Sequence, residues 1–139
     1  MTLVADQTAR RAARERAVGL LYEAEVKDQP AVDVLAALPV APDDYVVEVV
    51  SGVTEHAAEL DEAITRYARN WDLDRMPALD RAILRLAAYE LGHRPDIPRN
   101  VVINEAVELA KVFSTEESGK FVNGMLSAMA PDLRPEAER

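Results

Sequence analysis

Apolar residues return every three or four positions along almost the whole chain, and no stretch shows the every-second-residue alternation of a half-buried strand. The pattern predicts an all-α protein. Ala13, Ala17, Leu20, Leu21 and Ala24 share one face of a helix over roughly 8–27, and Pro30 follows its end. A short helix fits about 30–38, stopped by Pro39 and Pro42. A longer segment over 43–69 aligns Val46, Val49, Val50, Val53, Ala57, Leu60, Ile64 and Tyr67. Gly52 is its expected bend, because glycine weakens a helix interior by about 1 kcal/mol.

The stretch NWDLDRMP, 70–77, breaks the periodicity, holds the only tryptophan, Trp71, and reads as a joint. Beyond it, LDRAILRLAAYEL (79–91) is apolar on most sides, as a helix buried by several neighbours would be, and Gly92 and Pro95 are its expected terminators. The next helix starts near Pro98 or Asn100 and runs to Phe113, with Ile103, Ala106, Val107, Ala110 and Phe113 inward. Ser114 and Glu117 then form a capping-box pattern for a last helix to about Met129, whose apolar face holds Phe121, Val122, Met125 and Met129. The expected architecture is one domain, 1–139, of two packed helical bundles, about 8–70 and 77–130. The tail PDLRPEAER is polar with two prolines and is expected to fray.

Charge changes this picture at one end. Arg10, Arg11, Arg14 and Arg16 lie within seven residues, opposed only by Glu15, in a chain of net charge −9. A quarter of the basic residues is gathered where the helix macrodipole disfavours them. Such a cluster suits an anionic partner, with a phosphate backbone first. At 100° per residue Arg11, Arg14, Val18 and Tyr22 share a sector about 80° wide. Arg10, Arg11 and Arg14 are therefore candidate phosphate contacts and Tyr22 a candidate stacking platform. The competing reading is a solvated helix start. Lys120 and Asn123, beside Gly124 in KFVNGML, add a weaker candidate surface next to Phe121.

Other chemistry is poorly supported. There is no cysteine, hence no disulfide, thiolate or cysteine-ligated zinc. His56 and His93 fall in different helices without ligand-spaced partners, so no metal site or cofactor is expected. Glu90 shares a wheel face with Ile83, Leu86 and Ala87, and as a half-buried carboxylate it needs a partner such as Arg81, Arg85 or a backbone donor. No nucleophile or phosphate loop accompanies it, so an enzyme is not expected. No apolar run approaches the roughly 18 residues of a membrane span, and no signal peptide is recognisable, so a cytoplasmic location is expected.

Three blocks together resemble a known family. NEAVELAK (104–111) followed by STEESGKFVNGML (114–126), LDRAILRLAAYEL before them, and the arginine-rich ARRAARERAVGLLYEAEV (9–26) are similar to the NusB transcription antitermination factors. LDRMPALDRAILRL, with Trp71 ahead of it, looks most like the actinobacterial branch. The resemblance covers nearly the whole chain, 28–70 matching least. It implies two helical bundles, no catalysis, and an adaptor that pairs with NusE, a small-subunit ribosomal protein, binds boxA RNA and serves the RNA polymerase antitermination complex on ribosomal RNA operons. It also allows a homodimer covering the arginine face. Carried over by position, Arg10, Arg11 and Arg14 match RNA-contacting arginines, and Lys120, Phe121 and Asn123 match positions near RNA or the NusE junction. Asp80 and Glu117 match acids facing NusE. The alternative is a helical protein–protein interaction module without specific RNA binding. The same helical module also fronts some RNA cytosine methyltransferases, but no cofactor-binding Rossmann unit is recognisable here.

Overall fold

Prolines decide where several helices begin. The computed structural model describes residues 3–68 and 72–135, with side chains from residue 8 onward. It contains α1 (Leu3–Lys27), α2 (Ala31–Ala36), α3 (Asp44–Glu55), α4 (Ala57–Tyr67), α5 (Ala78–His93), α6 (Arg99–Phe113) and α7 (Glu116–Leu133), with one 3-10 turn at Leu73–Arg75. No strand occurs among the described residues. Pro30, Pro77 and Pro98 each stand just before a helix, at φ of −60°, −54° and −57°. Their fixed φ leads the chain into the first turn, where a missing N–H costs nothing. The end of α1 is made by Asp28, whose φ of 54° is left-handed, while the Gln29 N–H closes on the Ala24 carbonyl at 2.9 Å.

Several boundaries differ from expectation. The 43–69 segment breaks at His56, not at Gly52. Gly52 stays helical and serves another purpose: a Cβ there would stand 2.3 Å from Cε1 of Tyr89, so only glycine lets that ring cross α3. The turn at His56 redirects the chain, because α3 packs on α1, α2 and α5 whereas α4 packs on α5 and α7. Gly92 lies inside α5, which ends one residue later with Arg94 as cap. The cap of α7 is Thr115 rather than Ser114. Its hydroxyl accepts the Ser118 N–H at 3.0 Å, so the third helical position is a serine and not the glutamate of a capping box. The inward face of α6 is Val102, Ala106, Leu109 and Ala110; Ile103 and Val107 are half-buried and Phe113 is exposed. Trp71 and residues 136–139 lie outside the described residues.

Against the expectation of fraying, the described part of the tail, 130–135, is held by hydrogen bonds. Helix α7 continues through Pro131, and the Arg134 guanidinium donates to the carbonyls of Glu90, Leu91, Arg94 and Ile97. The Leu91 carbonyl is among the acceptors that a helix end leaves, while those of Glu90 and Arg94 take the guanidinium in addition to a backbone N–H.

Helix α5 is the axis of the molecule. It packs against α1, α3, α4, α6 and α7, and every residue from Asp80 to Leu91 except Arg85 is buried. Each fully buried leucine there contributes roughly 1.5–3 kcal/mol. No helix among the described residues is long and apolar enough to cross a membrane.

Candidate nucleic-acid interface

The arginine cluster divides once α1 is packed. Ala13, Ala17, Leu20 and Ala24 turn inward as their spacing requires and Leu21 is half-buried, but Val18 and Arg14, placed in the arginine sector, turn in with them. Its side chain is 4% exposed, and its Nε lies 3.0 Å from Glu90 Oε2 and 3.2 Å from Oε1. The Tyr45 hydroxyl donates a short hydrogen bond to the same carboxylate. Burial, followed by the adjacent Glu90 charge, pushes the Tyr45 phenol far above its ordinary range, so it stays a donor. The partners of Glu90 are therefore Arg14 and Tyr45, not Arg81 or Arg85. Arg81 instead pairs with Glu25 and donates to the Leu73 and Met76 carbonyls, and Arg85 pairs with Asp61.

Arg14 is thus a strut between α1 and α5 rather than an exposed phosphate contact. Its placement orients the remaining arginines. Arg11 is 56% exposed and forms a two-pronged pair with Glu105 of α6, at 2.9 and 2.6 Å. That hydrogen bond holds the Glu105 carboxyl below the usual carboxylate range. Arg10 lays its guanidinium 3.8 Å from the centre of the Tyr45 ring, a cation–π contact, and lines a shallow recess with Ala9, Ala13, Asp43 and Tyr45. Asp43 caps α3 by accepting the Tyr45 N–H at 2.8 Å, which fixes the residue carrying that ring. Arg94 approaches the same ring at 5.1 Å and is held by Glu48 and Asp96, and its hydrogen bonds keep the Asp96 carboxyl at about 2. Arg16 is exposed. Arg10, Arg11 and Arg16 are the members of the cluster that reach the surface.

Tyr22 is exposed, eleven residues beyond Arg11 on the same helix, about 16 Å along its axis. Lys120 and Asn123 are exposed on α7, Phe121 is half-buried against the core, and Glu117 is exposed with Lys120 3.5 Å away. Asp80 differs. It is 3% exposed, one of its oxygens accepts from Ser118, and Oδ1 has no hydrogen-bond partner. Burial raises its carboxyl above the ordinary range, against the opposing hydrogen bonds of Ser118 and Ser114. Asp80 and Glu117 meet where the first turns of α5 and α7 join, with Glu117 at the surface and Asp80 beneath Ser118.

Sequence reasoning missed Tyr45, Glu105 and the Tyr89–Gly52 contact, because each partner lies far away along the chain. The histidines, expected apart, come together: their rings stack at 3.9 Å between centroids.

Comparison with known proteins agrees with this arrangement. The NusB family model matches residues 11–131. The transcription antitermination protein NusB of Kineococcus radiotolerans is 46% identical over 126 residues, covering 88% of this chain and 93% of that protein. NusB of T. maritima superposes with a TM-score of 0.82 at 38% identity, over 91% of this chain and 93% of that one. A chain in the crystal structure of the antitermination factors NusB and NusE in complex with double-stranded RNA superposes with a TM-score of 0.75 at 28% identity, over 88% of this chain and 96% of that one.

Proposed function

This chain belongs to the NusB family, and from that premise we propose that it is an RNA-binding transcription antitermination factor that pairs with NusE. The supporting observation is the match, over 88% of the chain, to a NusB-type fold solved with NusE and RNA. The chain acts as one unit of two bundles, about 8–70 and 77–130, within an RNA polymerase antitermination complex, and it adapts partners to one another without catalysing a reaction.

Arg10 and Arg11 capture the phosphate backbone of boxA RNA, with Tyr22, Lys120, Phe121 and Asn123 as further contacts for exposed bases and sugar. Arg14 contributes indirectly, by fixing the rotation of α1. Glu117 faces the basic NusE partner, and Asp80 supports that corner from below. RNA must compete with Glu105 for Arg11, so binding by the free chain is modest, and NusE supplies the additional contact area. A homodimer covering the arginine face is the resting state consistent with this competition.

The test is fluorescence anisotropy with labelled boxA RNA and a scrambled control, at two salt concentrations, with and without NusE. Preferential boxA binding that tightens with NusE is expected. The salt slope should be about −1.5 to −2 for two or three phosphate contacts on a single strand. Equal, weak binding to both RNAs, unmoved by NusE, would instead favour a protein-interaction module.

A further inference from the structure

We propose that His56, Glu59 and His93 form a binding site for a zinc ion. The break between α3 and α4 gives His56 a non-helical backbone, at φ −103° and ψ 18°, with Glu59 three residues on. The last residue of α5, His93, arrives from the other side. Its Nε2 stands 2.8 Å from Glu59 Oε2, and its ring stacks on that of His56 with 20° between the planes. One ligand atom from each of the three residues lies within 4.8 Å of the other two.

The donor set selects the metal. Two imidazoles and one carboxylate suit a borderline ion such as Zn²⁺, whereas Mg²⁺ and Ca²⁺ demand oxygen shells. Zinc–ligand bonds of about 2.0–2.1 Å in a tetrahedron set ligand atoms roughly 3.3 Å apart, so the widest separation must close by up to about 1.5 Å, the 2.8 Å His93–Glu59 contact must open slightly, and the stacked rings must turn toward a common point. Side-chain rotation supplies that, because Glu59 is half-exposed and His93 and His56 are only partly covered. The same exposure gives the ion a path in and leaves a fourth position for water. Tyr89 walls the site, its ring 5.4 Å from His93 and 6.3 Å from His56. The negative charge at the site comes from Glu59 itself, since Glu48, which accepts from the Tyr89 hydroxyl, is already paired with Arg94. Bound zinc would clamp the α3–α4 junction to the end of α5. The site uses no residue of the arginine end of α1 and is independent of the RNA reading.

Isothermal titration of the untagged, chelator-stripped full chain with ZnCl₂ tests this, with MgCl₂ as control and Co²⁺ as an optical reporter. One equivalent of zinc should bind, the thermal midpoint should rise, magnesium should do neither, and cobalt should give the visible bands of a tetrahedral site. His56→Asn and His93→Gln should lower zinc affinity on the order of 100-fold, and Glu59→Gln about 10-fold. Glu59→Gln alters a surface residue and keeps the histidine stack, so it serves even where a histidine variant folds poorly. Absence of stoichiometric zinc binding, or wild-type affinity in Glu59→Gln and His93→Gln, would overturn the proposal.

Discussion

Helix α5 buries an acid at each end, and the two are treated in opposite ways. Glu90 receives two contacts from the Arg14 guanidinium and one from the Tyr45 hydroxyl. Asp80 receives the Ser118 hydroxyl, with Ser114 close enough to assist, and keeps an oxygen with no hydrogen-bond partner. A buried charge persists only when paired and hydrogen-bonded; otherwise its proton returns. Glu90 therefore ties α1 and α3 to α5. Asp80 is an acid raised by burial, able to gain from any donor brought to that corner. The first end fixes the helix whose arginines we place against RNA, while the second lies below the acidic surface where we place NusE.

The sharpest way to break this comparison is to remove the anchored acid. Glu90→Ala strips the buried Arg14 of its hydrogen-bonded carboxylate, leaving only Glu105 at 3.7 Å, and should cost roughly 3–5 kcal/mol of stability, read by urea or thermal unfolding. Replacing both members, Arg14→Met with Glu90→Leu, should restore most of that loss, since a well-packed apolar pair escapes the desolvation of two ions. If the double variant were as unstable as the single one, the pair would be contributing more than mutual neutralisation.

The other end should respond less, and with a different pH signature. A carboxyl raised by folding contributes stability below its ordinary range, near 3.8, and loses it as pH rises through the folded value. Asp80→Asn should therefore be destabilising at pH 4 relative to pH 7, and should flatten the loss of stability that the wild type shows across that upper window. Urea midpoints at several pH values measure it, and an unchanged profile would remove Asp80 from the account. Smallest of all is the effect of releasing an exposed arginine. Glu105→Gln weakens the hold on Arg11 and should raise boxA affinity about two- to fivefold at low salt with little change in unfolding.

The same contrast explains how much was legible beforehand. The apolar spacing in α1, α5 and α7 specified their inward faces, since burial follows helical period. The buried character of Glu90 was visible on the wheel, but its partner was not, because Arg14 is 76 residues away and competes in sequence with the nearer Arg81 and Arg85. Arg14 misled for a related reason: its place in a basic run suggests solvent, while its position one residue from Ala13 and three from Ala17 turns it inward. Gly52 was read by propensity as a bend, yet it stays helical, and its missing side chain makes room for a tyrosine from another helix. His56, lacking any breaker signature, carries the actual turn, set by where α4 must pack.

Arg134 has a consequence for the order of events during synthesis. The carbonyls it satisfies, such as that of Leu91, are made 43 residues earlier. At 5–20 residues per second the ribosome needs about 2–9 s to cover that interval. For that time the end of α5 is capped only by its own backbone, through the Arg94 N–H on the Glu90 carbonyl, and by water. Arg134 thus acts as a latch that closes on the Glu90 end of α5 well after the helices joined by the Arg14–Glu90 strut have been made.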